Sequence, residues 1–194
     1  MRVKGKVIAA VLVIILVGVG ALIFGLKRKG GGELVDPFYE SMVKGAPKTL
    51  HVTTDAIANG RFIVDYTCDG RDKAPTVTVS GIPSDAKALA LVMYDPDAPI
   101  GTFVHWLLVV KGPFNSDTVQ VTSDMGVEGR NDFRSIGYGG PCPPRGHGDH
   151  RYFILVMALD KEPTLHQGFT VKDLKKEVEG NVIAWGYVMG KYSR

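Results

Sequence analysis

The sequence predicts a mainly β domain with few short helices, preceded by one N-terminal transmembrane helix. Short β-branched and aromatic runs recur between Gly, Pro, Asn and Asp clusters, the pattern of an all-β sandwich. Two of these runs, FVHWLLVV (103–110) and YFILVMAL (152–159), are apolar at nearly every position, so both faces of each strand should be covered. A third apolar run, residues 7–26, carries no charge and is bracketed by basic residues.

That N-terminal run holds 20 residues, which at about 1.5 Å rise each would cross roughly 30 Å of hydrocarbon. It is longer than the apolar stretch of a secretory signal, which runs to about 7–15 residues. It also ends in Phe24-Gly25-Leu26-Lys27, with no small-residue cleavage pattern and no lipoprotein cysteine. A core helix of such length would show a polar face, and this one has none. Residues 1–29 therefore read as an uncleaved membrane anchor spanning 7–26. Three basic side chains precede the run and three follow it, so the charge rule barely orients it. The orientation adopted places the N-terminus inside, giving a single-pass membrane protein with an extracytoplasmic domain. Residues 30–48 form a linker that starts with a Gly tether. Its part from Asp36 onward reads either as a short helix or as a juxtamembrane arm.

Residues 49–194 form the β domain. Strands are expected at 61–66, 76–80, 87–94, 103–110, 118–122 and 152–159, with a last one at 182–189. One helix has clear ends. Thr170 is its N-cap with Asp173 three residues on, Val171, Leu174 and Val178 form a stripe, and Gly180 stops it.

The chain of 194 residues has a formal net charge of +3. Residues 1–32 hold six basic residues and no acid, leaving 17 basic against 20 acidic residues from Glu33 onward. The basic balance thus belongs to the anchor, and no nucleic-acid face is implied. Serine-hydrolase, P-loop and Rossmann fingerprints are absent from the sequence.

Three polar constellations interrupt the apolar background. In DPDAP (95–99), two prolines stiffen the loop and hold Asp95 and Asp97 in place, although Asp- and Pro-rich turns are common. His105 lies inside FVHWLLVV, where strict alternation puts it on one face with Phe103, Leu107 and Val109. Its ring nitrogens need a partner there, and a nearby carboxylate is the economical one. Third, a Gly/Pro loop from Tyr138 enters the 152–159 strand. His150 and Tyr152, two apart, point the same way, and beside exposed backbone amides they suit a small anion. His147 and His150 form H-x-x-H on a Gly-rich loop without a third ligand, so no metal site is assigned. Cys68 and Cys142 either pair in a disulfide or remain two buried thiols.

Together these pieces resemble the phosphatidylethanolamine-binding protein family, which includes the Raf kinase inhibitor proteins. The resemblance rests on YTCDG (66–70), DPDAP (95–99), TFVHW (102–106), GRNDF (129–133), GYGGPCPPRGHGDHRYF (137–153), ALD (158–160) and GKYSR (190–194). The version here is similar to the bacterial and archaeal branch. The resemblance implies a Greek-key β domain on a large antiparallel sheet, with a small anion pocket at one end. Carried over by position, the pocket would be lined by Asp95, Asp97, Pro99, Phe103, His105, Pro141, Pro143, His150 and Tyr152. Asp95 or Asp97 would orient His105, and His105, His150 and Tyr152 would donate to the anion. Animal members continue into a C-terminal helix where this sequence stops at Arg194, which weakens any carry-over of kinase regulation.

The function expected on these grounds is membrane-tethered and non-enzymatic. It is the binding of phosphate- or carboxylate-bearing ligands such as phospholipid headgroups, with no cofactor. The alternative, modulation of a protease or kinase partner, follows from the resemblance alone.

Overall fold

Alternation along the long apolar runs, broken once in the run at 103–111, decides the layering of the domain. The computed structural model describes residues 36–194. Its central strands are β5 (Ala88–Asp95), β6 (Phe103–Lys111) and β9 (His150–Leu159), flanked by β10 (Val182–Tyr192). They belong to a seven-stranded sheet of order β2-β3-β10-β9-β5-β6-β8, completed by β2 (Ile57–Ala58), β3 (Arg61–Phe62) and β8 (Val127–Glu128). All pairings in it are antiparallel except that of β10 with β3. A second sheet, β1 (His51–Thr54), β4 (Val77–Ser80) and β7 (Thr118–Val121), is antiparallel throughout.

One face of the large sheet packs on the small one. Leu89, Leu91 and Met93 of β5 join Ile154 and Val156 of β9, and meet Val52, Val77, Val79 and Val121. The other face offers Ala90, Val92, Leu155 and Met157 to two helices, α1 (Pro37–Met42) and α2 (Val171–Val178), through Tyr39, Met42, Leu174 and Val178. Every residue of β5 is buried, as expected of a strand covered on both sides.

The helix ends follow their sequence signals. Thr170 caps α2 through the Asp173 amide while the Asp173 carboxylate accepts from the Thr170 amide, and Gly180 follows at φ 80°. The segment from Asp36 proves to be helical and tightly packed. The Asp36 carboxylate caps α1, and Tyr39 stacks on Tyr94 with ring centroids 3.9 Å apart. Core packing therefore begins upstream of residue 49.

Some strand boundaries shift. The run expected at 61–66 is a strand only over Arg61–Phe62 and then turns into a 3-10 helix, Val64–Tyr66. Strand β9 starts two residues earlier than expected, and β10 ends at Tyr192, because the pair stay in register to the tip, where Tyr192 faces His150. Among the described residues no helix is long and apolar enough to cross a membrane. The span expected at 7–26 lies outside the described residues.

Candidate functional site

The site forms where β5, β6 and β9 end at the same edge of the large sheet. There β6 carries a bulge, since Met93 pairs with Trp106 but the next residue, Tyr94, pairs with Val104. His105 is the extra residue, and a bulge reverses the alternation beyond it. Val104 consequently joins Leu107 and Val109 in the helix-side core. His105 turns to the opposite face and meets Tyr152 edge-on, with centroids 5.2 Å apart. The expectation that His105 shares a face with Leu107 and Val109 is thus corrected, while its neighbour Phe103, 5.1 Å away, stays with it.

A cavity of about 190 Å³ opens beside these rings. Of the expected residues, Asp95, Pro99, Phe103, His105, Pro143, His150 and Tyr152 line it. Asp97 and Pro141 do not. Asp97 instead clamps Arg151, accepting from its amide at 2.9 Å and from its guanidinium Nε at 2.8 Å, which ties the DPDAP loop to the start of β9. Pro141 is buried, and its carbonyl accepts the Cys68 amide at 3.2 Å. Cys68 and Cys142 are disulfide-bonded, which pins the Gly/Pro loop across 74 residues of chain. Cys142, Ala98, Ile100, Phe133 and Pro144 complete the lining. Wider hollows beside α1 and α2 are lined mostly by exposed or half-buried side chains and hold no comparable buried polar group.

Within the cavity wall the hydrogen bonds assign the imidazole protons. His105 Nδ1 lies 2.7 Å from the Gly139 carbonyl, so that nitrogen donates. Neither aspartate orients His105, contrary to expectation. Asp95 instead takes the Nδ1–H of His150 on Oδ2 at 2.7 Å and the Asp97 amide on Oδ1 at 2.8 Å. The side chains of Asp95 and His150 are only 4% and 3% exposed. His150 Nε2 is engaged too, 3.0 Å from Nδ1 of the exposed His147. Among the described residues, two buried side-chain atoms lack a hydrogen-bond partner, the hydroxyls of Tyr94 and Tyr152. Tyr94 is sandwiched in the core between Tyr39 and Phe153, whereas Tyr152 faces the cavity. Burial, and then the neighbouring Asp95 carboxylate, hold the Tyr152 phenol far above its ordinary value. It therefore stays protonated and can donate.

Burial pushes His105 below the ordinary histidine value, outweighing its bond to Gly139 and the Asp95 charge. The unfolded chain then binds a proton more readily than the native protein. Stability from this group is full above about pH 6.5 and is lost as pH falls from there toward the lower native pKa. A series of urea midpoints across that window should show a slope of up to about 1.4 kcal/mol per pH unit, which His105→Gln removes. An unchanged slope in the variant would contradict this assignment.

Phe133 was missed because GRNDF reads as polar loop, yet its ring sits 4.7 Å from Phe103 and 5.3 Å from His105. A lone aromatic in a charged turn was the available signal. The Gly139 carbonyl has no sequence signal at all.

The fold and its cavity define a class, a two-sheet, largely antiparallel β domain with a small pocket at one end of its central strands. The family model for phosphatidylethanolamine-binding protein matches residues 53–193, and the chain belongs to that family. It is 37% identical to a UPF0098 protein of Pyrococcus abyssi over 97% of this chain and 99% of that one. A UPF0098 protein of Aquifex aeolicus is 39% identical, with 84% and 98% covered. The crystal structure of a phosphatidylethanolamine-binding protein homologue from Chlamydia trachomatis superposes with a TM-score of 0.67 at 31% identity, covering 76% of this chain and 99% of that one. Escherichia coli YbcL, described as a new member of the mammalian family, gives a TM-score of 0.66 at 28% identity, with 75% and 99% covered.

Proposed function

We propose that the chain is a membrane-tethered, non-enzymatic binding protein. Its cavity takes the phosphate- or carboxylate-bearing end of a small ligand such as a phospholipid headgroup. The observation that carries this reading is the Tyr152 hydroxyl, which is buried at the cavity wall and, although the Asp95 carboxylate is close enough to act on it, makes no hydrogen bond of good geometry within the protein. A buried donor left unpaired costs about 1–3 kcal/mol, and an anionic oxygen would remove that cost. His105 and His150 lie beside it, and the apolar walls of Phe103, Phe133, Pro99 and Ile100 suit the hydrocarbon part of a ligand. A binding role also fits Cys142, which is held in the disulfide and so offers no thiolate nucleophile. The same disulfide favours an oxidising compartment, consistent with an extracytoplasmic domain. The uncharged run at 7–26 supports the tether.

Tyr152→Phe tests the reading in the full-length chain, titrated calorimetrically with phosphorylethanolamine and with acetate. A hydrogen bond to a charged group is worth about 1.5–3 kcal/mol, so affinity should fall roughly 10- to 100-fold. Stability should change little, because the lost hydroxyl makes no hydrogen bond of good geometry within the protein. Equal affinity in the variant, or no binding by the parent protein, would overturn the proposal.

A further inference from the structure

Among the described residues, the most exposed large apolar side chain is Ile100, 86% exposed in the loop between β5 and β6. It stands at the mouth of the cavity with Phe133 and Pro144, which are exposed as well. Next in the chain to these two come Arg134 and Arg145, both exposed. The carboxylates of this edge are engaged within the protein. Asp36 accepts the Phe38 amide and the Thr102 hydroxyl, Asp97 holds Arg151, and Asp132 accepts the Val104 amide. Asp69 is bonded to Arg194 at 3.0 Å and lies 3.7 Å from Arg145. The mouth therefore presents apolar tips flanked by cations, the composition of a surface that settles into the interface of a bilayer.

The chain also enters the domain at this edge. Asp36, the cap of α1, is bonded to Thr102, two residues beyond Ile100. Nine residues, 27–35, separate Asp36 from the uncharged run at 7–26, a length of chain that reaches at most about 35 Å. If that run spans a bilayer, the loop of Ile100 is held within reach of the same bilayer's surface.

We propose that the domain docks on the membrane that anchors it, with Ile100 and Phe133 seated in the headgroup layer, and that the cavity takes its anion from a phospholipid of that bilayer. The inference rests on the tether and cavity readings above and adds the surface that joins them. Two apolar tips are too little to hold a free domain on a membrane. A short tether changes the balance, because it raises the effective concentration of the surface to the millimolar range and makes a weak intrinsic affinity sufficient. Arg134 and Arg145 add attraction to the lipid phosphates.

The full-length chain, reconstituted in vesicles of phosphatidylethanolamine and phosphatidylglycerol, tests the docking. An environment-sensitive fluorophore is attached through Ser135→Cys, beside the tip of Phe133 and Arg134, or through Ser116→Cys, in the exposed loop after β6 at the opposite edge of the sheet. Lipids carrying a nitroxide in the headgroup region should quench the first label and spare the second. Burying one branched aliphatic side chain shifts an equilibrium roughly ten- to a hundredfold, so Ile100→Glu should lower the docked fraction at least about tenfold and abolish the difference between the labels. Ile100→Leu, which keeps the tip apolar, should preserve it. Equal quenching at the two positions, or quenching at the first that survives Ile100→Glu, would overturn the docking. A blue shift of the first label without nitroxide quenching would assign the tips to another protein surface, such as a second copy of the chain, and overturn it too.

Calorimetry with soluble phosphorylethanolamine reads the cavity separately. Binding of that probe in a chain that fails to dock would leave the cavity reading intact, whereas docking without it would overturn the cavity as the destination of the headgroup. A chain that does not float with the vesicles would overturn the tether and the docking together.

Discussion

Asp95→Ala should destabilise the protein by about 3–4 kcal/mol and abolish ligand binding in the cavity. The carboxylate is almost fully buried and accepts two hydrogen bonds, one from His150 and one from the Asp97 amide. Truncation leaves both donors buried without an acceptor, and removing one partner of such a pair costs about 3–5 kcal/mol. The loss is not only energetic. Without Asp95 the ring of His150 has no fixed tautomer, and the turn that carries Pro99 and Ile100 into the cavity wall loses its anchor on the Asp97 amide. Asp95→Asn separates the two contributions. Its amide oxygen still accepts one bond at nearly the same size, so about half of the loss in stability should return while the His150 tautomer remains unset. Urea unfolding of both variants, read with the ligand titration, checks this. A destabilisation under about 1 kcal/mol in the alanine variant would mean that the buried pair is not what holds this end of the sheet.

Gly140→Ala should have a comparable effect by a different route. A Cβ placed there would lie 2.3 Å from the Tyr66 carbonyl oxygen and 2.5 Å from Asp72 Oδ1. Both are far inside van der Waals contact, and the first is backbone, so the loop must move. The Gly140 amide also donates to that same Asp72 oxygen at 2.8 Å. Its neighbour Gly139 accepts from His105, and two residues on Cys142 is tied to Cys68. Displacing this segment disturbs the His105 ring, so overpacking should cost about 2–3 kcal/mol and weaken binding by at least tenfold. Gly146→Ala is the informative control. It lies in the same loop, and nothing surrounds its Cβ position within 4 Å, so it should cost only the strain of its positive φ. Equal losses in the two variants would show that close approach is not the reason for a glycine at 140.

The sequence made the layering and most of the strands legible because a period of two and fully apolar runs leave few alternatives for β5, β6 and β9. The cap of α2 was readable for a similar reason, Thr170 and Asp173 standing at the spacing their mutual hydrogen bonds require. Seven of the nine lining residues that the family resemblance implies reach the cavity, and for His150 and Tyr152 the local alternation pointed the same way independently. What escaped was non-local. The bulge that turns His105 to the other face depends on the register between β5 and β6, which no window of one strand contains. The pairing of Asp95 with His150, 55 residues apart, and of Asp97 with Arg151, 54 apart, follows from β5 and β9 lying side by side. Phe133 enters by a loop whose course is set by its hydrogen bonds to β6, among them the Val104 amide to the Asp132 carboxylate. His147 was visible as half of an H-x-x-H, but its role as a partner to His150 needed the turn between them.

Everything proposed for the cavity depends on an anion being held by the Tyr152 hydroxyl. A crystal structure of the full-length chain grown with phosphorylethanolamine tests it most directly. An anionic oxygen is expected within about 2.5–3.0 Å of the Tyr152 hydroxyl, beside His105 and His150 and walled by Phe103 and Phe133. Phosphorylethanolamine ordered elsewhere on the domain, with the Tyr152 hydroxyl still lacking an acceptor, would contradict it.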